Sequence, residues 1–343
     1  MKPLVSILIP AFNAQQWIAD TLQSALAQSW PRKEIIVVDD GSADRTLEIA
    51  RQFDHVGVTI VTQTRQGAAA ARNKAYSLCH GDYIQWLDAD DLLDCDKITK
   101  QMAVLEHCHN QRTLISCSWG RFQYRPYRAE FLPTALWCDL SPLEWLLRKM
   151  GQNIYMQTGT WLVSRELAEA AGPWDTQLLG DDDGEYFCRV LLSSDGVKFI
   201  PEARVYYRAF GFNSLSYMGM SDKKRDALWR SMQLHIKYLR SLEESDRTRA
   251  ACTSYLQSSL IFFYPDRPDL IQQAQQLAQE MGTNLEVLGL SWKYSWIERC
   301  FGRRAALRAQ THSRKLKWSI VGLWDKSLFR LRGRKAEPKS GTH

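Results

Sequence analysis

No stretch of this 343-residue chain approaches the ~20 apolar residues that a membrane-spanning helix needs, so a membrane-spanning protein is not expected. The eight cysteines (79, 95, 108, 117, 138, 188, 252 and 300) form no Cys-x-x-Cys pair and share no regular spacing. That argues against a zinc ribbon or a disulfide framework and for small core residues in a reducing compartment. Met1-Lys2-Pro3 runs straight into a strand-like segment, with no apolar signal core and no small-residue cleavage site. The expectation is a cytoplasmic protein, at most peripheral on the cytoplasmic face of a membrane. No Gly-x-Gly-x-x-Gly follows the first strand and no Gly-Lys-Ser/Thr loop occurs. Nicotinamide or flavin Rossmann sites and Walker-type phosphate loops are thereby disfavoured. Internal repeats are also lacking.

What is present is an ordinary globular composition, 45% hydrophobic and 24% charged, with a formal charge of +6. Leu4 to Ile9 is a nearly continuous apolar run, read as a buried parallel strand that ends at Pro10, since proline has no N–H for a central ladder. Asn13 is placed to cap a helix through Trp17, Ile18, Leu22, Ala25 and Leu26. Glu34 to Val38 is a second strand, running into Asp39-Asp40-Gly41-Ser42. Asp44 caps the helix that follows. Val58 to Val61 is a third strand, and Gly67 opens an alanine-rich helix, Ala68 to Leu78, that carries Arg72. Asp82 to Leu87 is a fourth strand, ending at Asp88-Ala89-Asp90-Asp91. The pattern βαβαβαβ predicts a mostly parallel sheet whose strand ends share one edge, with carboxylates after the second and fourth strands. Three carboxylates at Asp88, Asp90 and Asp91 repel one another unless a cation joins them, and a hard divalent ion shared with substrate phosphate resolves this. A turn rich in Asp that caps the next helix is the plainer alternative.

A helix from Lys97 to about His107 and a strand from Thr113 to Ser118 come next, with Phe122 to Tyr124 as a pairing segment. Trp137, Trp145, Tyr155, Trp161 and Trp174 are read first as core, although aromatic faces also stack on sugar rings. Gly159 to Arg165 reads as a strand. Gly180-Asp181-Asp182-Asp183-Gly184-Glu185 then precedes a helix over Tyr186 to Leu192. Four carboxylates in five positions exceed what a cap needs, and crowding raises carboxylate pKa values in a way that suits a general base. Gly196 to Ile200 and Arg204 to Tyr207 are read as closing strands. Three helices follow from Ser221 onward. Beyond Ser291 the chain is strongly basic, with interleaved tryptophans at 292, 296, 318 and 324, the composition of a membrane-interface helix. Nucleic acid is a weaker use of the same charge and is not expected.

Four ordered segments carry a family likeness: Val5 to Asn13, Val37-Val38-Asp39-Asp40-Gly41-Ser42, Gly67 through Ala71-Arg72-Asn73, and Leu87-Asp88-Ala89-Asp90-Asp91. Together they resemble the family 2 glycosyltransferases, inverting nucleotide-sugar enzymes of the GT-A fold. The likeness is strong over residues 4 to 110 and weaker through Gly180 to Arg189. It implies an α/β fold, a GT-A Rossmann-like, mostly parallel sheet with flanking helices, plus a C-terminal helical extension. Residues 1–110 would be the nucleotide-sugar-binding half, 111–220 the acceptor and catalytic-base half, and 221–343 a helical basic region. It further implies that Pro10 and Phe12 line the base pocket with Asn13 in the same nucleotide-binding set. Asp39 and Asp40 would accept from base or ribose, and Arg72 would lie near the base. Asp90 would be the first metal ligand for Mg²⁺ or Mn²⁺, with Asp88 on ribose or metal and Asp91 either supporting the ligands from behind or serving as an alternative ligand. Asp182-Asp183-Gly184-Glu185 with Arg189 matches the family's catalytic segment, with Asp182 where the family has Glu and Asp183 as the base; the extra Asp181 leaves that register open by one residue.

The processive members carry Gln-x-x-Arg-Trp and membrane helices, and this chain has neither. Transfer of one or a few sugars is expected, from a UDP-sugar to a hydroxyl acceptor in a cell-surface polysaccharide, lipopolysaccharide or lipid-linked glycan, with inner-membrane surface contact through 291–335. The competing expectations are a sugar nucleotidyltransferase, which would want a glycine- and arginine-rich loop where Pro10-Ala11-Phe12-Asn13 stands, and a non-enzymatic membrane adaptor built on the basic tail.

Overall fold

β-Branched and leucine-rich segments build a five-stranded sheet at the centre of a computed structural model, which describes residues 2–108, 112–209, 221–286 and 292–302, with 305, 306 and 309. Its first strands are β1 (Val5–Ala11), β2 (Lys33–Asp39), β3 (Val58–Thr62) and β4 (Tyr83–Trp86), linked by helices α1 (Ile18–Leu26), α2 (Thr46–Arg51) and α3 (Ala68–Leu78). These four strands are mutually parallel. Ile7, Leu8, Ile9, Val37 and Val38 are fully buried, as strands covered on both faces must be. Each such side chain contributes about 1.5–3 kcal/mol. Helix α1 buries Ile18, Leu22 and Ala25 at helical spacing. Helix α3 presents Ala69, Ala71 and Ala75 inward, and these small side chains let it lie against β1 and β2.

Strand β1 does not end at Pro10. It continues to Ala11, with Pro10 paired opposite Val38, in the middle of the sheet order β3-β2-β1-β4-β8. The reason is strand length. Backbone groups alternate between neighbours along a strand, and Leu8 O accepts from Leu87 N on the β4 side. Pro10 faces that same side, but the β1–β4 pairing has ended at Leu8 and Trp86, so no ladder bond is lost.

The second part of the chain adds β5 (Leu92–Leu93), α4 (Lys97–Cys108), β6 (Thr113–Phe122), β7 (Glu130–Phe131), α5 (Pro142–Gln152), β8 (Val163–Ser164), α6 (Arg165–Ala171), α7 (Asp182–Ser193) and β9 (Gly196–Arg208). Strand β8 joins the large sheet antiparallel to β4, while β5, β9, β6 and β7 form a four-stranded sheet. Several expected boundaries shift. Thr113 to Phe122 is one strand, and so is Gly196 to Arg208. The expected strand over Gly159 to Arg165 is a 3₁₀ turn at Thr158–Thr160, a two-residue strand and the start of α6. Ser164 stops the strand because its hydroxyl caps Leu167 N. Three helices follow: α8 (Asp222–Leu242), α9 (Asp246–Phe263) and α10 (Pro268–Glu280). Serines 221 and 245 cap the first two, and Pro268 opens the third at a position that needs no N–H.

The residues fall into two units. Met1–Gly120, Phe131–Tyr207 and Met220–Leu285 form the first, which holds the large sheet and helices α8 to α10. Arg121–Glu130, Arg208–Gly219 and Glu286–His343 form the second. Within the second, Ala209 N donates to Phe122 O (2.8 Å), and the buried Arg208 guanidinium lies 4.6 Å from the Phe122 ring centre. Among the described residues, no helix is long and apolar enough to cross a membrane.

Candidate active site

The chain leaves β4 through Leu87 and turns at Asp88-Ala89-Asp90-Asp91, where Asp91 N donates to Asp88 O at 3.1 Å. Burial alternates through this turn. Ala89 and Asp91 are buried, whereas Asp88 and Asp90 are partly exposed. The buried Thr21 hydroxyl serves the carbonyls of Ala89 and Asp91 from beneath (3.0 and 2.9 Å). Asp91 is 0% exposed and accepts from Gln157 Nε2 at 3.2 Å. Its carboxylate is thus withdrawn from the sheet edge, in the place of a support for the turn.

Arg72 projects from α3 into this edge. Its Nη2 donates to Asp88 Oδ1 (2.8 Å) and its Nη1 to Asp182 Oδ2 (2.7 Å), residues 16 and 110 positions away in the chain. Its guanidinium also lies 4.3 Å from the Trp174 ring centre. Trp174 stacks on Tyr186 (4.1 Å, 7° between planes) and meets Trp86 edge-on, so the arginine rests on an aromatic wall. Asn73, the next residue, binds both backbone groups of Trp174, at 2.8 and 2.9 Å. Arg72 therefore joins the two acidic segments. Burial opposes its charge, but Asp88 and Asp182 more than offset that, and it stays protonated.

Helix α7 begins at Asp182, four residues before the expected start at Tyr186. The acids therefore occupy a helix first turn, where the positive end of the dipole favours them. Asp181 precedes it in the left-handed region (φ 56°). Each carboxylate goes a different way. Asp181 Oδ2 accepts from Ser231 of α8 at 2.6 Å. Its Oδ1 would lie 2.1 Å from a Cβ at Gly184, so any side chain there would displace the Asp181 carboxylate. Asp182 faces Arg72, and Asp183 Oδ2 accepts from Thr158 Oγ1 at 3.2 Å. Glu185 is buried in a two-bond pair with Arg189 (2.7 and 2.8 Å) and accepts from Tyr238 of α8 at 2.7 Å. Asp182 and Asp183 are the two that point toward the strand-end turn.

Burial pushes both carboxyls up. Asp182 rises to about 6, with Arg72 pulling the other way and Asp183 adding to the rise. For Asp183 burial comes first and the Asp181 charge second. The two partners of the Arg72–Asp182 pair thus both move upward. The bond at 2.7 Å decides the matter for neutral pH, where the pair is ionic.

At the end of β2, Asp40 is fully engaged within the protein. Its Oδ1 accepts from Gln63 Nε2 and Gln66 N, and its Oδ2 from Gly67 N, all at 2.8 Å. These bonds fold the loop that opens α3 around the Asp40 carboxylate. Asp39 is different. Its Oδ2 accepts from Ser42 N, but its buried Oδ1 has no partner. Asn13 does not cap α1, which starts at Ile18. Its side chain accepts from Ala43 N at 2.9 Å and its own N–H donates to Ser42 Oγ, tying two strand-end loops together. Phe12 is partly exposed beneath the exposed Arg65 guanidinium, 4.2 Å from its ring centre. Arg65, Gln157, Thr158 and Ser231 were not among the residues that sequence motifs singled out. Polar side chains in loops and helices carry no spacing signal of their own. Trp145, Trp161 and Trp174 are core, as their default reading had it, whereas Tyr155 is 43% exposed.

The glycosyl transferase family 2 model matches residues 6–170 of this chain. A putative teichuronic acid biosynthesis glycosyltransferase of Bacillus subtilis (strain 168), TuaG, is 43% identical over 104 residues, covering 29% of this chain and 41% of that protein. The Escherichia coli UDP-Glc:alpha-D-GlcNAc-diphosphoundecaprenol beta-1,3-glucosyltransferase WfaP is 40% identical over 104 residues, covering 30% and 41%. The alignments thus span less than half the length of these relatives. The solved structure of S. aureus TarS 1-349 in complex with UDP-GlcNAc superposes with a TM-score of 0.66 at 16% identity, covering 90% of this chain and 92% of that one, which shows a shared fold. The parallel sheet and its strand-end carboxylates lie within the matched range, and residues 6–170 are a family 2 glycosyltransferase domain.

Proposed function

We propose that this chain is an inverting glycosyltransferase that moves a sugar from a nucleotide-diphosphate sugar, a UDP-sugar in the first instance, to a hydroxyl of a cell-surface or lipid-linked glycan. The observation that carries the reading is Arg72 bonded at once to Asp88 and Asp182. One cation brings the strand-end carboxylates and the helix-start carboxylates to a common site, which a purely structural cap would not require.

In this reading Asp183 takes the proton of the acceptor hydroxyl. The acceptor oxygen forms its bond to the anomeric carbon as the bond to the diphosphate oxygen breaks, and the nucleoside diphosphate leaves from the opposite face. The partnerless Asp39 Oδ1 suits an N–H donor of a base, and Phe12 with Arg65 offers a stacking surface beside it. The donor set fits a hard divalent cation, Mg²⁺ or Mn²⁺, because Asp88 and Asp90 are partly exposed carboxylates two residues apart. When bound, such an ion neutralises diphosphate charge. Among the described residues, three ligand atoms within 4.8 Å of one another occur at Asp94, Cys95 and Asp96, and not at Asp88–Asp91. An ion at Asp90 and Asp88 would therefore rely on phosphate and water for the rest of its shell, as Mg²⁺ commonly does. The Asp94 cluster is a poorer match, since Asp96 pairs with Lys100 at 2.9 Å and a thiol is a soft ligand.

The test is nucleotide-sugar hydrolysis across a panel of donors with and without Mn²⁺. Turnover is expected to need the metal, and Asp90→Asn is expected to raise the Mn²⁺ concentration for half-maximal rate at least about tenfold, in line with loss of a charged ligand. Full activity in chelator would remove the metal from the reading.

The membrane contact assigned to 291–335 falls mostly outside the described residues. Within the described part, Trp296 and Phe301 are 61% and 71% exposed. Both suit insertion at a lipid headgroup boundary beside the basic residues. The full chain is expected to float with vesicles containing anionic lipid, and the chain cut before Ser291 to stay in the dense fraction. Equal flotation of the two would place any membrane contact elsewhere.

A further inference from the structure

We propose that the Gln157–Thr160 turn is a positioning unit of the transfer site, in which Thr158 orients Asp183 while Gln157 holds Asp91. The proposal rests on the glycosyl-transfer reading above and names the residues that keep the base in register with the strand-end carboxylates.

The turn touches both halves of the site. Gln157 Nε2 donates to Asp91 Oδ2 at 3.2 Å, and Thr158 Oγ1 donates to Asp183 Oδ2 at 3.2 Å. These are neighbouring residues, so the two carboxylates are referenced to one short piece of backbone. The turn closes on itself, since Thr160 N and Thr160 Oγ1 both donate to Gln157 O (2.9 and 2.6 Å).

It is also held from beneath by a polar bed. Gln85 Nε2 of β4 donates to Gly159 O at 2.9 Å and Gln101 Nε2 of α4 to Thr160 O at 3.0 Å. Lys97 Nζ donates in turn to Gln85 Oε1. Gln85, Lys97 and Gln101 are all 0% exposed. Burying three such side chains is costly unless they are bonded, and much of their bonding converges on the carbonyls of this turn. At Gly159 a Cβ would stand 3.1 Å from Val205 Cγ1, so the backbone approaches β9 closely. A rigid support beneath a functional group is what accurate positioning requires.

Thr158 is 1% exposed, yet its hydroxyl bonds a carboxylate 25 residues away and not its own turn. With Oδ2 so occupied, rotation of the Asp183 carboxyl is restricted, and Oδ1 is the oxygen that takes the acceptor proton. Thr158 is a positioning residue: it acts through Asp183.

The experiment compares the full-length wild type, Thr158→Val, Thr158→Ser, Asp183→Asn and the Thr158→Val/Asp183→Asn double variant. Readouts are UDP release from UDP-glucose and UDP-N-acetylglucosamine, UDP binding by calorimetry, and melting temperature. Thr158→Val is expected to cut kcat about 10- to 100-fold, the scale of a misplaced catalytic group. Its donor KM and UDP affinity should stay within about twofold. Because the lost bond favoured the charged carboxylate, the acid limb of its pH profile should move to higher pH. Serine keeps the donor and should restore kcat to within about threefold. The double variant should be no slower than Asp183→Asn alone, because Thr158 has no route to the reaction except Asp183. If Thr158→Val keeps wild-type kcat, or if the two losses simply multiply, the positioning role is wrong while the transfer reading stands. If Asp183→Asn itself turns over normally, the assignment of the base fails and Thr158's role with it. Should valine lower the melting temperature markedly, the serine variant and the pH profile still separate positioning from folding.

Discussion

Asp183→Asn is expected to lower sugar transfer by about 10²- to 10⁴-fold, the usual contribution of a positioned general base, and to leave UDP binding within about twofold. Asparagine keeps the shape and can still receive the Thr158 hydroxyl, so the helix start should survive the change. Asp183 sits in the first turn of α7, where burial and the Asp181 charge raise its pKa. The sign of the pH dependence follows. A base works only when ionised, and a raised carboxyl is protonated over a wider range of acid pH. Wild-type kcat/KM should therefore climb with pH along a limb displaced upward from the ordinary carboxylate range. Burial also raises the neighbouring Asp182, to about 6. In Asp183→Asn the residual rate should lose the Asp183 part of that limb. Steady-state donor hydrolysis with calorimetry of UDP binding checks both parts. A variant with full turnover, or one that no longer binds UDP, would contradict the separation of base from donor site.

Arg72→Met is expected to cost about 3–5 kcal/mol of folding stability, the scale for removing one partner of a buried ion pair, and to abolish measurable transfer. The guanidinium is 7% exposed and the Asp88 and Asp182 carboxylates are 27% and 18% exposed, so solvent does little to compensate either acid. Methionine fills the place against Trp174 but offers no donor. Two carboxylates would then face each other without a cation between them, which their mutual repulsion disfavours. Arg72→Lys should recover only part of the loss, because one ammonium cannot reproduce the planar fork that reaches both acids and lies on an indole face. Urea unfolding of the three proteins at pH 7 measures this directly. Equal midpoints for wild type and Arg72→Met would mean that the bridge carries no stability. Adding Asp182→Asn to Arg72→Met should return part of the lost stability, since one of the stranded charges is then gone.

The sheet was legible from local pattern. Runs such as Leu4 to Ile9 and Glu34 to Val38 bury both faces, and a strand so covered must be apolar almost throughout. Gly67 before α3 and Asp44 before α2 marked helix starts through backbone demands that neighbouring residues reveal. The misread boundaries share one cause, which is that pairing partners decide where a strand stops. Pro10 is tolerated because β4 is short, and β4's length is not written near residue 10. Gly159 to Arg165 had strand composition, yet the bed formed by Gln85 and Gln101 folds its beginning into a turn.

For the site, the residue types were readable and their partners were not. Clusters at Asp39-Asp40, Asp88 to Asp91 and Asp181 to Asp183 stand out in a chain of 343 residues, as does the order of the motifs around them. By itself the sequence determined a parallel α/β sheet, acids at its strand ends and the family likeness, because periodicity, turn chemistry and motif spacing act over a few neighbouring residues. Only the tertiary structure decided that Asp40 braces a loop, that Asp91 is buried under Gln157, that Asp181 turns away to Ser231, and that Arg72 joins Asp88 to Asp182. A charged side chain takes whichever partner the packing brings within about 3 Å, and that partner can lie 110 residues away.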